Sequence, residues 1–535
     1  MISKKHIIYA ALALSFTASS CVNDLDVQPL NPNVLTGKRA YEDAANYDKG
    51  LNKLYSVWAL SGQDGAGGSD ISGLDAGNTV LLRSWWTLQT ATTDEAKVAW
   101  PDAWCAEVNG ITWSTNIVEP IEGVYQRCMF IVALANEFIK NSDNIADANK
   151  KAQYVAEARF NRALAYYILI DTFGNPPFIT ESNYSIAPKQ IGRKELFNWV
   201  ESELKAIKAD LPNARQSYGR ADKAVASALL ARMYLNAEVY TGEKRYKDCI
   251  EQCNEVIAAG YKLAPKYSDL FKADNGENPE TKSEIIFPVV FDGNKTQSYA
   301  MAAIILGSRN GGETSVEKDG INGGWDGFRA TSKLPKLFEY ADNNNPTAAT
   351  IKDNRGIFFD ANRSIDIQTS VQGTFTSEGW SVHKFTNVTS KQVPGANTTF
   401  PDTDFPLFRL ADIYLMYAEA TVRGASNGNL AKAVEYVNAL RKRAYGNDNG
   451  NIDEAWLKAN SFRNILDERS RELYWEGTRR TDLIRFRLFT SSTYTWEGKG
   501  GSVTGVGVDS KYNIFPIPSS DISVNSSLVQ NKEYQ

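Results

Sequence analysis

The chain has 535 residues, and its 43% hydrophobic and 23% charged residues permit a packed core and argue against long disorder. A formal net charge of −5 with no basic run argues against nucleic acid and against docking on anionic lipid, and fits a neutral ligand. With only two histidines, His6 and His383, His-ligated metals, Ser-His-Asp triads and Cys-His nucleophiles have little to build on.

The N-terminus reads as an export leader. Lys4, Lys5 and His6 form a basic region, and Ile7 to Phe16 form an apolar stretch too short to span a bilayer. Ala18-Ser19-Ser20-Cys21 then resembles a lipoprotein cleavage site, with Ala18 where the strict pattern has leucine. This predicts a signal peptide over 1–20 and lipidation of Cys21; an ordinary secretory signal beside a chance cysteine is the alternative. Residues 21–40 carry Pro29 and Pro32 and read as a tether. No later run is apolar and long enough to cross a membrane.

The body reads as mainly α. Helical patterning runs from about 40 to 60, and a Gly-, Ser- and Asp-rich loop fills 61–79. Helices are predicted over 116–141 and 147–173, the second carrying an apolar stripe through Val155, Ala158, Phe160, Ala163, Tyr166, Tyr167 and Ile170. Gly174-Asn175-Pro176-Pro177 stops it. Another helix fits 193–210. Two helix pairs come next, at 220–240 with 246–259 and at 405–422 with 429–445.

In the first pair, Ala224, Ala228 and Ala231 are small where two helices approach closely, as in a degenerate tetratricopeptide unit. Cys249 and Cys253, four apart on its second helix, read as core; no cysteine spacing here matches a zinc site. Between the helical blocks, 271–400 reads as loops and short strands such as Ile285-Ile286-Phe287. A last helix is predicted over 461–487. The organisation expected is an N-terminal helical scaffold over 41–270, a loop and short-strand insertion over 271–400 forming much of a ligand face, and C-terminal helices with an irregular tail over 401–535, all one compact domain.

Several fragments in fixed order then resemble one family. They are Cys21 to Asp26, Glu157 to Tyr167, Gly174 to Pro177, Gly219 to Ala224, Phe408 to Ala420, Leu440 to Ala444, Glu468 to Phe486, and Phe515-Pro516-Ile517-Pro518. Together they resemble the SusD/RagB family of outer-membrane lipoproteins over essentially the whole chain. The resemblance implies an α-helical fold with tetratricopeptide-like pairs, glycan binding at the cell surface, and a SusC-like TonB-dependent transporter as partner. Thr93-Asp94-Glu95 before Ala99-Trp100, Asp292-Gly293 before Tyr299, Asn322-Gly323 before Trp325, and Phe400 to Arg409 are most similar to starch-binding members. That similarity implies an aromatic arc of Trp100, Tyr299 and Trp325 for an α-glucan, with Asp75 and Arg83 as a hydrogen-bonding pair. Ala103 departs from it, standing where those members have a sugar-contacting asparagine, beside a loop one residue shorter.

The physical case is that a pyranose has an apolar C–H face and a fringe of hydroxyls, so two or three aromatics and a few polar groups make a site. Each residue has a bland counterpart. Trp100 and Tyr299 can be core, Asp75 a turn former, and Arg83 a stacking partner of Trp85 and Trp86, which themselves read as core. Trp325, flanked by Gly323, Gly324 and Gly327, reads as displayed. Arg479, Arg480 and Arg485 with Asp482 and Glu476 read as a solvated or internal ion-pair network. Asp274-Asn275-Gly276-Glu277 has calcium-like chemistry without the spacing of an EF-hand, making Asp274 the candidate for a structural calcium; no other cofactor is expected. A surface glycoside hydrolase is the rival reading, with Asp94-Glu95, an adjacent acid pair near an aromatic, as its candidate; capture of a different glycan or of peptide is a third.

Overall fold

The computed structural model describes residues 40–116 and 118–535; the leader, Cys21 and nearly all of the tether lie outside them. Helices dominate. In chain order the principal ones are α1 (Ala45–Ser56), α2 (Leu81–Thr90), α3 (Ala103–Gly110), α4 (Glu119–Lys140), α5 (Ala148–Thr172), α6 (Arg193–Ile207), α7 (Lys223–Leu235), α8 (Tyr246–Ala258), α9 (Tyr299–Ile305), α10 (Leu410–Val422), α11 (Leu430–Tyr445), α12 (Arg463–Leu473) and α13 (Arg479–Arg485). Among the described residues, no helix is long and apolar enough to cross a membrane.

Consecutive helices stack. α4 packs on α5 and α5 on α6; α7 packs on α8, α8 on α10 and α10 on α11. The small residues Ala224, Ala228 and Ala231 are buried in α7, where α8 brings up Cys249 and Cys253. This repeated nearest-neighbour packing is tetratricopeptide-like. α5 departs from its predicted one-sided stripe. From Ala156 to Thr172 nearly every side chain is buried, because α4 covers one side while α6 and α7 cover others.

Two further corrections concern the C-terminal helices. Phe405–Arg409, predicted as the start of a helix, is a strand, and the helix begins at Leu410. Pro406 fits the strand better, and the segment finds a partner 120 residues earlier in sequence, at Ile285–Val289. The helix predicted over 461–487 is interrupted at Tyr474–Gly477. Trp475 and Gly477 there have φ of +66° and +70°, outside the range a right-handed helix can use.

The strands are short and join distant segments. They are β1 (Ala96–Val98), β2 (Ile285–Val289), β3 (Phe328–Ala330), β4 (Phe358–Phe359), β5 (Ser381–Val382) and β6 (Phe405–Arg409). One antiparallel sheet has the order β1-β3-β5-β4, and β2 pairs with β6. In the first, Val98 lies opposite Phe328 and Ala96 opposite Ala330. This register ties the N-terminal scaffold to the insertion and fixes where the chain emerges from each strand end.

Candidate functional site

The register of β1 and β3 carries the chain directly to Trp100. Past Val98, the Ala99 N–H donates to the Gly327 carbonyl at 2.8 Å. The Trp100 indole N–H then donates to the Trp325 carbonyl at 2.5 Å. The loop bearing Trp325 is pinned along its length. Trp325 N donates to Leu306 O at 2.8 Å, Asp326 N to Arg309 O at 3.0 Å, and Gly327 N to Gly307 O at 2.9 Å. Asp326 sits at φ +52°, with its carboxylate accepting from the Asn310 side chain at 2.7 Å. Trp325 is thus held out on a braced loop, half-buried.

Tyr299 is the first residue of α9, whose N-terminus is capped by the Ser298 hydroxyl. Its ring lies 6.0 Å from that of Trp325 at an interplanar angle of 58°. On its other side Phe400 stands at 5.9 Å and 57°. Trp100 packs edge-on to Phe328 at 5.1 Å and to Trp104 at 6.3 Å. The Tyr299 and Trp325 rings therefore do not lie in one plane.

Arg83 comes from α2, where every residue is buried. Its guanidinium lies 5.5 Å from the Trp100 ring centre, and among the described residues it makes no hydrogen bond. Burial pulls its pKa down to about 10 and the charge of Asp75 pushes the other way, so it stays cationic at neutral pH. Asp75 is exposed. Its Oδ1 accepts from Gly77 N at 2.9 Å and Asn78 N at 2.6 Å, a side-chain turn. Asp75 Oδ2 has no partner among the described residues. Gly77 holds the group together: a Cβ there would lie 3.3 Å from both the Asp75 carboxylate and the Tyr299 ring, and 3.8 Å from Arg83.

Trp100, Tyr299, Trp325 and Arg83 thus line one open depression of roughly 390 Å³, with Asp102 and Asn78 at its edge and Asp75 beside it. The chemistry on offer is flat apolar faces, five guanidinium N–H donors and carboxylate acceptors. Phe400, Asp102 and Asn78 were not anticipated as parts of this cluster; a phenylalanine before Pro401 in an Asn- and Thr-rich loop was the available signal for the first. Ala103 is exposed at the start of α3, one position past Asp102.

The remaining candidates lie elsewhere. Trp85 and Trp86 are core, as is Trp104. Asp94 is buried and clasped by Arg479 at 2.7 and 2.8 Å, and the Glu95 carboxyl accepts from Trp475 N at 3.2 Å. Arg485 binds Glu419 and Asp482, and Glu476 binds Arg409 and Lys384, so this network is internal, not solvated. Asp274 uses both carboxylate oxygens on Ser390, at 2.7 Å to its N–H and 2.6 Å to its hydroxyl. Among the described residues, no group of three or more His, Cys, Asp or Glu side chains is arranged to hold a metal ion.

A stacked helical scaffold presenting an aromatic-lined depression defines a binding-protein architecture, and comparison with known proteins gives its family. The profile of the SusD family matches residues 367–534, and one described as "Starch-binding associating with outer membrane" matches 84–235. Starch-binding protein SusD of Bacteroides thetaiotaomicron is 35% identical over 99% of this chain and 99% of its own. A SusD-like protein of Formosa agariphila is 25% identical over 78% of this chain and 83% of its own. The chain belongs to the SusD family. Solved structures share the fold: a SusD superfamily protein from Parabacteroides distasonis (TM-score 0.68, 21% identity, 94% of this chain and 100% of that one), and surface glycan-binding protein A from Bacteroides thetaiotaomicron in complex with laminarihexaose (TM-score 0.68, 18% identity, 91% and 99%).

Proposed function

We propose that this protein is a non-catalytic, lipid-anchored binding protein of the outer-membrane surface. It captures starch or related α-glucan oligosaccharides and delivers them to a SusC-like TonB-dependent transporter. The observation that carries the ligand reading is the arrangement of Trp100, Tyr299 and Trp325 around the Arg83 guanidinium, which makes no hydrogen bond among the described residues. A ring offers each pyranose dispersion and C–H contact, while Arg83 and the free oxygen of Asp75 take hydroxyls. The 58° turn between Tyr299 and Trp325 suits a polymer that curves, as an α-1,4-glucan does, better than a flat ribbon needing coplanar platforms. Membership of the SusD family, the 35% identity to a starch-binding member and the leader ending at Cys21 support the rest. Beside Ala103, Asp102 is a polar residue lining the depression.

The test is affinity electrophoresis of the soluble chain beginning at Val22, against amylopectin, pullulan, dextran, inulin and a β-glucan. Amylopectin and pullulan should retard the protein, and Trp100→Ala or Trp325→Ala should weaken binding by about tenfold or more. Retardation by the β-glucan alone would assign a different glycan to the same rings. Release of reducing sugar from amylopectin by the intact protein would replace binding with hydrolysis.

A further inference from the structure

A second cavity, of about 540 Å³, shares no residue with the aromatic depression. It opens between the N-terminus of α6, the start of α8, the C-terminus of α10 and the segment after α13. In a chain of net charge −5, this cavity is lined by five cations and a single carboxylate, Glu238.

The local charges do not cancel. Arg485 is neutralised by Glu419 and Asp482. Arg423 shares the same Glu419 through Nε alone, at 2.7 Å, and the Tyr246 hydroxyl also reaches its guanidinium. Its guanidinium is fixed by stacking 4.4 Å over the Phe486 ring. Arg193 has no ion pair among the described residues. Only carbonyl oxygens receive it, Ile170 O at 2.9 Å and Asp171 O at 3.4 Å, while it stacks on Tyr240 at 4.9 Å. Lys244 is exposed, with neither an ion pair nor a hydrogen bond among the described residues. Among the described residues Arg487 has only Glu238 as an ion-pair partner, at 3.7 Å, and the Glu238 carboxylate also accepts from the Tyr246 hydroxyl at 2.7 Å.

Backbone strain gathers at the same rim. Asn460, Ser461 and Phe462 are consecutive non-glycine residues with φ of +54°, +53° and +67°, and Arg487 has +58°. Ser461, Phe462 and Arg487 all line the cavity. Left-handed non-glycine residues are uncommon and concentrate at ligand clamps. Positive charge pre-positioned by stacking, with donors left open, is how oxyanions are recognised.

We propose that this cavity is a second binding site, for a small organic oxyanion: a carboxylate, sulfate or phosphate carried on a sugar-sized molecule. Arg193 and Arg423 are its fixed donors. Lys244 and Arg487 close it electrostatically from the rim. The ligand brings the negative charge that Glu238 alone does not supply.

Calorimetry of the soluble chain beginning at Val22 tests this, with glucuronate, glucose 1-phosphate, inorganic phosphate and sulfate as probes and neutral glucose as control. At least one anion should bind saturably below about 10 mM, and added salt should weaken it. The Lys244→Ala/Arg487→Ala pair, both exposed, should weaken that affinity by about tenfold while leaving amylopectin binding unchanged. Arg423→Gln should do the same, with folding checked by circular dichroism. Binding of glucuronate but not phosphate assigns a carboxylate ligand, and the reverse assigns a phosphate. No saturable anion binding, or binding that the exposed double variant leaves intact, would overturn the proposal. Because the aromatic rings are read with neutral glucans, failure here and failure there are separate results.

Discussion

At the scale of single residues, the depression depends on Gly327 as well as on its rings. A Cβ on Gly327 would overlap the Trp100 indole and lie 2.9 Å from the Gly307 carbonyl. No side chain fits there unless the indole moves. Gly327→Ala should therefore reduce amylopectin affinity nearly as far as Trp100→Ala does, and should cost about 1–3 kcal/mol in urea unfolding from overpacking. Unchanged retardation by amylopectin would mean that the position of the Trp100 ring is irrelevant to binding. The sequence exposed the glycines flanking Trp325 and so suggested a displayed ring. It did not expose why Gly327 is required, since its neighbour Trp100 lies more than two hundred residues away.

At the scale of elements, the helices were the most legible part of the chain, because capping and periodicity are local. Asp222 illustrates this. Its carboxylate accepts from Ala224 N at 2.8 Å and Val225 N at 2.9 Å, satisfying two open donors at the start of α7, and also from Arg215 N at 2.8 Å. Asp222→Ala should cost about 1–2 kcal/mol, read as a lower urea midpoint with an unchanged slope. Strands were legible only where apolar residues ran together, as at Ile285-Ile286-Phe287. Phe405–Arg409 passed for helix because its pattern resembles the apolar run of α10 that comes after it. Only the pairing with β2 separates the two.

At the scale of the whole molecule, buried charge joins the insertion to the C-terminal helices. Arg409 binds Glu284, Glu472 and Glu476, and Arg355 binds Asp353, Glu468 and Glu472, all buried. Burial raises the Glu472 and Glu419 carboxyls, but the surrounding guanidinium charges more than reverse it and hold both at about 2. A folded-state value below the unfolded one gives stability that is full above about pH 4.5 and lost as the pH falls toward 2. Glu95 has the opposite sign. Burial raises it to about 8 despite Arg479, so its contribution is full below about pH 4.5 and lost as the pH rises through 8. His383 opposes it below about pH 6.5, because burial holds its imidazole neutral, down at about 3, and stability rises with pH through that range. Glu95→Gln should therefore gain stability over the wild type between about pH 5 and 8 while leaving the acid limb untouched, measured as urea midpoints across that range. A Glu95→Gln profile parallel to the wild type from pH 5 to 8 would contradict this assignment.

What the sequence determined by itself was whatever short-range chemistry decides: most of the long helices, the stop at Gly174 to Pro177 and the small residues of α7. Those signals need only neighbours within a turn or two of helix. The tertiary structure decided what Arg83, Asp75, Trp100, Tyr299 and Trp325 are to one another. They come from separate segments, and their approach is set by the register of β1 on β3 and by a loop pinned along residues 306–309. It also decided the break between α12 and α13 and the burial of the arginine network, because a charge is accommodated in the interior only when partners arrive from elsewhere in the chain.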